Sequence, residues 1–195
     1  MAFQIEAKAL GEVVVIRGTA YRDGRGWFAE TFRADQFREL GLPAEFVQDN
    51  HSCSRRGVIR GLHFQWDPPM GKLMRVTRGT AFLVAVDIRK GSPTLGKSFC
   101  LEVSADSQLQ IWAPAGFARG FCALTDEVEV QYKCTGIYNP AGEGAIRWDD
   151  PELAIPWPVP DPILSEKDRN ARSLRDWLAS PEAALLAYDH PHSRR

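Results

Sequence analysis

The residues with the most chemical promise lie in Arg60-Gly61-Leu62-His63-Phe64-Gln65. Read as a strand, this stretch sets Leu62 and Phe64 on one face and His63 and Gln65 on the other. An imidazole with an ordinary pKa of about 6.5 is available as a base near neutrality. The structural alternative is a core histidine with both nitrogens satisfied. Tyr132 poses the same choice. It shares a strand face with Val128 and Val130, which mark that face as interior, so its hydroxyl points inward and needs a partner. It is either a general acid or a tyrosine bonded to backbone. Six residues on, Tyr138 stands where that strand should end and can stack on a planar ligand group.

Arg25, Arg60, Lys72, Arg119 and Lys167 supply candidate cations, although each taken alone reads as a solvated surface residue. Arg60, Lys72 and Arg119 fall in strand regions beside turns, near the same inner face. Several such groups converging suit an anion such as a diphosphate. Lys72 can also donate to a ketone oxygen that becomes an enolate. Ser165-Glu166-Lys167-Asp168 has the spacing of a capping box. The other role open to Asp168 is a carboxylate that orients a histidine.

A metal site is the rival for any small barrel with an inward histidine. Such sites want a closely spaced pair of histidines, a following Glu and a further His on a later strand. Here Gln65 follows His63 at two residues, and Arg119 stands where the later His belongs. The other histidines are His51, His190 and His192, and no Cys-x-x-Cys pair exists among Cys53, Cys100, Cys122 and Cys134. No metal is therefore expected, and Cys100, Cys122 and Cys134 read as buried free thiols.

The elements that must carry these groups are mostly strands. Residues 1–20 read as extended, and Gly24-Arg25-Gly26 marks a turn. Ala34 to Leu40 suits one short helix ended by Gly41 and Pro43. From about 58 to 135 the pattern is strand. Phe82, Val84, Val86 and Ile88 alternate with Leu83, Ala85, Asp87 and Arg89, which predicts one inward face. Phe99, Leu101 and Val103 repeat the alternation. Residues 139–163 read as a long packed loop, and helices return at about 166–179 and 181–188. The tail from Asp189 to Arg195 is expected to fray. Many short strands without a βαβ rhythm suggest an antiparallel barrel or sandwich. One domain over 1–195 is expected, with a β core at about 10–160 and C-terminal helices at about 165–188.

Composition narrows the function. Lys and Arg number 24 against 25 Asp and Glu, a net charge of −1. No global positive field draws in nucleic acid or an anionic membrane, so any anion site must be local. The start lacks the pattern of a signal peptide, and no apolar run of about 18 residues exists. A cytoplasmic protein is the expectation.

The ordered set Asp23-Gly24-Arg25-Gly26-Trp27-Phe28-Ala29-Glu30, Val47-Gln48-Asp49-Asn50-His51-Ser52 and Gly57-Val58-Ile59-Arg60-Gly61-Leu62-His63-Phe64-Gln65 resembles the dTDP-4-dehydrorhamnose 3,5-epimerase family. Gly71-Lys72-Leu73, Val84-Ala85-Val86-Asp87-Ile88-Arg89, Tyr132-Lys133-Cys134-Thr135, Ile146-Arg147-Trp148-Asp149-Asp150-Pro151 and Ser165-Glu166-Lys167-Asp168 extend the resemblance to about residue 178. It implies a mainly β, antiparallel jelly-roll (cupin-like) barrel with short peripheral and C-terminal helices. It also implies a homodimer that uses no cofactor or metal, with a dTDP-linked 4-keto-6-deoxyhexose as substrate.

The same resemblance assigns roles. His63 takes a proton alpha to the ketone, Asp168 orients His63, and Lys72 with Arg60 stabilises the enolate. Tyr132 returns a proton from the opposite face. Arg25, Glu30, Gln48, Asn50, Glu143 and Lys167 match substrate contacts, and Tyr138 matches the aromatic that stacks on the nucleotide base. Phe28 lies in the segment that reaches a neighbouring subunit's site. One departure is Gly-Phe-Ala-Arg-Gly-Phe, where the family has His at the position of Arg119. An arginine there is permanently charged and cannot serve as acid or base near neutrality. Inversion at both C3 and C5 is the leading expectation. Inversion at one centre, or a non-catalytic nucleotide-sugar-binding barrel, are the alternatives.

Overall fold

The computed structural model describes residues 2–188; Met1 and the tail 189–195, with His190 and His192, lie outside the described residues. The strands are β1 (Phe3–Ala9), β2 (Val13–Gly18), β3 (Ala20–Asp23), β4 (Gly26–Ala29), β5 (Gln48–Arg55), β6 (Ile59–Gln65) and β7 (Lys72–Arg78). They continue as β8 (Thr80–Asp87), β9 (Ser98–Ser104), β10 (Leu109–Ala113), β11 (Phe117–Ala123), β12 (Glu127–Cys134) and β13 (Glu143–Ala145). Helix α1 (Ala34–Glu39) precedes β5, and α2 (Glu166–Arg169) and α3 (Leu174–Ala179) follow the strands.

Two antiparallel sheets face each other in a cupin-like jelly roll. The first has the order β1-β2-β10-β7-β12-β5 and the second β13-β6-β11-β8-β9, while β3 and β4 form a separate hairpin. Alternation fills the space between the sheets. Val13, Met74, Val76, Ile111, Val128 and Val130 from the first sheet meet Leu83, Ala85, Val103, Phe117 and Phe121 from the second.

The second sheet is also covered on its outer face. Leu62, Phe64, Val84, Val86 and Ile88 pack there against Leu174, Trp177 and Leu186 of the C-terminal segment. This corrects the expectation that β8 has one inward face. Leu83 and Ala85 point between the sheets, and the more apolar row of Val84, Val86 and Ile88 faces the helices instead. A strand covered on both sides carries apolar residues on both sides, so its alternation does not say which face is the barrel interior. On the first sheet, α1 lays Phe37 against Phe3, Ile16 and Trp112.

The predicted helix at 166–179 is two helices. Between them Arg172 bridges to Ile146 and its carbonyl accepts the Arg147 N–H at 2.9 Å, which holds the chain extended. Ser173 then restarts the helix with a full capping box to Asp176. The segment predicted as helix at 181–188 is 3₁₀ over Pro181–Leu186. The loop at 139–163 contains β13, three residues that pair with β6. Among the predicted buried thiols, Cys122 and Cys134 are buried and Cys100 is half-buried. No helix among the described residues is long and apolar enough to cross a membrane.

Candidate active site

The strand register builds one cavity between the sheets, lined by Ser52, Arg60, His63, Lys72, Met74, Arg119, Gly120, Phe121 and Tyr132. Its volume is about 130 Å³. The second sheet forms one wall. On β11, Arg119 shares a face with the interior Phe117 and Phe121, and its direct cross-strand partner on β6 is His63. Directly opposed residues present their side chains to the same face. The first sheet forms the facing wall. There Lys72 and Met74 share a face of β7, and Tyr132 pairs directly with Met74 on β12. The Lys72 ammonium stands 5.7 Å from the centroid of the Tyr132 ring. His63 and Tyr132 thus approach the cavity from opposite sides.

Arg60 reaches this cavity by an irregularity that alternation does not predict. It lies three positions before His63, so a regular strand would turn the two side chains to opposite faces. The ladder slips here: Arg119 pairs with His63, whereas Phe121, two residues on, pairs with Arg60. The extra residue in β6 restores Arg60 to the inner face. Gly61 makes the bulge possible, with φ of +121° and no room for a side chain. A Cβ there would stand 2.7 Å from both the Arg119 carbonyl oxygen and the Gly120 Cα. Arg60 is then fixed by Nε donating to Ser54 Oγ at 2.9 Å and Nη2 donating to the Cys53 carbonyl at 3.2 Å.

His63 Nε2 lies 2.5 Å from Asp168 Oδ1. Asp168 does not close the capping box that its spacing allows: only its backbone N–H takes part in the cap, and its carboxylate is turned to His63. Its N–H donates to Ser165 Oγ at 3.1 Å, which caps α2, while its side chain turns to His63 and accepts from Ser165 Oγ at 2.8 Å. Burial acts to raise the Asp168 carboxyl, but the hydrogen bonds from His63 and Ser165 outweigh it and hold the group below the ordinary value. An ionised carboxylate on Nε2 fixes the ring and leaves Nδ1 without a protein hydrogen bond among the described residues.

The remaining electrostatics are one-sided. Burial pulls the Lys72 ammonium below the usual lysine value; Cys134 and Glu143 work against this, and the Arg119 charge adds to it. Burial pushes the Tyr132 phenol up, so it stays protonated and able to donate. Arg119 is 3% exposed, with Nε donating to the Val84 carbonyl at 3.2 Å. Its Nη1 and Nη2 have no partner.

The predicted binding residues divide by place. Gln48, Asn50, Tyr138, Glu143 and Lys167 form a polar cluster linked by hydrogen bonds. Gln48 Nε2 donates to Asn50 Oδ1 at 3.1 Å, and the Tyr138 N–H donates to Gln48 Oε1 at 2.7 Å. Glu143 accepts from the Tyr138 hydroxyl at 3.0 Å and pairs with Lys167. Asn50 sits directly across from Tyr132, and Glu143 is two residues from the partner of His63 on β13, so this cluster lies beside the reactive pair. Tyr138 is half exposed and has an open face for a planar group.

Arg25 and Phe28 do not join the cavity of their own chain. They sit on the β3–β4 hairpin with the exposed Tyr21 and Trp27, and Arg25 is paired with Asp23. Glu30 follows the hairpin, 3.8 Å from Arg33. Ser52, Met74, Gly120 and Phe121 also line the cavity but carry no signal of their own in the sequence. Met74 and Phe121 follow from strand parity with Lys72 and Arg119, whereas Ser52 depends on the pairing of β5 with β12. Among the described residues no group of three or more His, Cys, Asp or Glu side chains is arranged to hold a metal ion.

Known proteins resemble the chain over most of its length. A profile described as dTDP-4-dehydrorhamnose 3,5-epimerase matches residues 7–176. The dTDP-4-dehydrorhamnose 3,5-epimerase of Methanothermobacter thermautotrophicus is 49% identical over 177 residues, 89% of this chain and 96% of the relative. A dTDP-4-dehydrorhamnose 3-epimerase of Streptomyces niveus is 40% identical over 166 residues, 84% of this chain and 79% of the relative. The crystal structure of dTDP-6-deoxy-D-glucose-3,5-epimerase from Legionella pneumophila, in complex with dTDP-4-keto-L-rhamnose, superposes with a TM-score of 0.88 at 42% identity. It covers 95% of this chain and 97% of that one. With half or nearly half of its residues shared across the full barrel, the chain belongs to the dTDP-4-dehydrorhamnose 3,5-epimerase family.

Proposed function

We propose that the protein is an isomerase that inverts C3 and C5 of a dTDP-linked 4-keto-6-deoxyhexose, converting dTDP-4-dehydro-6-deoxy-D-glucose to dTDP-4-dehydro-L-rhamnose. The observation that carries this reading is the placement of His63 and Tyr132 on facing walls of one cavity, with Lys72 on the tyrosine's wall. The C4 ketone acidifies the hydrogens on C3 and C5. His63 takes one of them at Nδ1, the C–H electron pair becomes a C=C bond, and the carbonyl π pair moves onto O4. Lys72 stabilises the resulting enolate. Tyr132 delivers its proton to the same carbon from the other side, and the centre inverts. The imidazolium and the phenolate then exchange the outstanding proton by way of solvent, so no proton is consumed overall. Asp168 keeps His63 oriented throughout.

The polar cluster around Tyr138 holds the nucleotide, with its ring against the base and Lys167 near the diphosphate. The working unit is a homodimer. Tyr21, Trp27 and Phe28 expose half or more of their surface on one small hairpin, the kind of patch a second subunit covers. In the dimer that hairpin brings Arg25 and Phe28 to the partner's cavity. Sedimentation at micromolar concentration tests this, and a species of about one chain's mass would overturn it.

The reaction is tested with dTDP-4-dehydro-6-deoxy-D-glucose in heavy water. Two deuterium labels per sugar, at C3 and C5, with the L-configured product trapped by reduction, are expected. A single label assigns inversion at one centre, as in the Streptomyces niveus relative's name. Tight binding without any label reduces the protein to a nucleotide-sugar-binding barrel.

A further inference from the structure

Arg119 carries the only fully buried side-chain nitrogens without a hydrogen-bond partner among the described residues. Its guanidinium is buried, its Nε is used on the Val84 carbonyl, and both terminal nitrogens lack an acceptor. A buried polar group without a partner is costly, and a charged one more so, unless something completes it. The surrounding carboxylates do not. Asp168 is committed to His63 and Ser165, and Glu143 to Lys167 and Tyr138. The cavity instead gathers Arg60, Lys72 and Arg119.

The missing partner must therefore arrive with the substrate. A ketone oxygen is neutral on entry, but it becomes anionic when an adjacent proton leaves. Arg119 is directly cross-strand from His63 and lines the same cavity, so its guanidinium belongs to the wall that carries the group that takes that proton. It also lies near enough to Lys72 for its charge to depress that ammonium. Burial lowers Arg119 itself to about 9, which leaves it protonated at neutral pH.

We propose that Arg119 is a second electrophile of the reaction, donating from Nη1 and Nη2 to the oxygen that turns anionic when His63 removes the α proton, in concert with Lys72. This rests on the functional reading above. Because the N–H groups of these two nitrogens meet their full partner only after proton transfer, they favour the intermediate over the bound ketone. The unpaired charge is thus a cost to the empty protein that becomes useful during turnover.

Arg119→Met and Arg119→Lys test this against wild type, with three measurements on each. These are turnover of dTDP-4-dehydro-6-deoxy-D-glucose with deuterium incorporation, the affinity for dTDP alone by calorimetry, and thermal unfolding. For Arg119→Met, kcat and the rate of deuterium entry are expected to fall about 100-fold, the scale of losing an oxyanion donor. The affinity for dTDP should stay within about threefold, since the diphosphate is not the partner. The midpoint of unfolding should rise, because an unsatisfied charge has left the interior. Arg119→Lys, which keeps the charge and loses the fork, should recover part of the rate.

A kcat within about threefold of wild type in Arg119→Met overturns the proposal. So does a loss of dTDP affinity with kcat kept, which assigns Arg119 to the diphosphate. Lowered thermal stability in both variants, with rate loss no greater than the unfolded fraction, also overturns it by making Arg119 structural. If wild type itself gives no deuterium entry, the functional reading fails and this inference fails with it, an outcome distinct from the other three.

Discussion

Two arginines are buried in this barrel to nearly the same degree, Arg89 at 1% and Arg119 at 3%, and they are treated in opposite ways. Arg89 is fully provided for. Its Nε and Nη2 donate to the two oxygens of Asp87 at 2.9 and 2.8 Å, and its Nη1 donates to Glu12 at 2.5 Å. Ser92 and Thr94 donate to the same Asp87 carboxylate, and the Phe117 ring lies 4.6 Å from the guanidinium carbon. Arg119 has one hydrogen bond and two bare nitrogens. Both project from the second sheet or its immediate continuation. One of the two sites is finished as a scaffold, and the other, only two residues along the ladder from Asp87, is left electrically open for a ligand. Burial of a charge is therefore not by itself a sign of function; what distinguishes the two is whether the fold supplies the counter-charge.

That contrast predicts a clean division between rate and stability. His63→Ala should lower kcat by about 100-fold to 10,000-fold, the range for losing a general base. Its thermal midpoint should move little, because His63 is partly exposed and its main bond is to one carboxylate. A fall in stability large enough to explain the lost activity would erase the distinction between the two sites. Asp87→Asn tests the scaffold site. It leaves the Arg89 guanidinium with Glu12 as its remaining ionic partner and should cost about 3–5 kcal/mol in chemical denaturation. The activity per folded molecule should be unchanged.

Acid should imitate the Asp87 substitution more gently. Burial acts to raise the Asp87 carboxyl, but the bonds from Arg89, Ser92 and Thr94 prevail and hold it below the ordinary carboxylate value. A carboxyl lowered in the folded state stabilises the protein above its unfolded pKa of about 4, and that contribution is lost as pH falls through the folded value. Wild type should lose stability steeply below about pH 4, and Asp87→Asn less steeply. Parallel acid curves for the two proteins would show that Asp87 is not the linked group.

The inward placement of His63 and Tyr132 was open to reading from sequence because strand parity is a local property. Tyr132 shares a face with Val128 and Val130, and His63 stands opposite Leu62 and Phe64, as alternation requires. Parity failed where the chain is covered on both sides, as in β8, and where it is broken, as between Arg60 and His63. The helix at 166–179 was misread because its interruption comes from a tertiary bridge between Arg172 and Ile146, which no propensity encodes. Arg25 and Phe28 could be matched by motif but not located, since their hairpin makes no contact with the cavity in a single chain. The bare nitrogens of Arg119 were invisible for a simpler reason: a missing hydrogen bond is a property of the surroundings, not of the residue.

The bulge at Gly61 has a consequence for how this wall tolerates change. Removing one residue between Arg60 and His63 would let the hydrogen-bonded ladder close in regular register, and the two-residue spacing left behind would still turn the guanidinium and the imidazole to the same side. Substitution of Gly61 is the harsher change, because a Cβ there meets the backbone of the neighbouring strand. The bare backbone at one position, more than the length of the segment, is what this wall has to preserve.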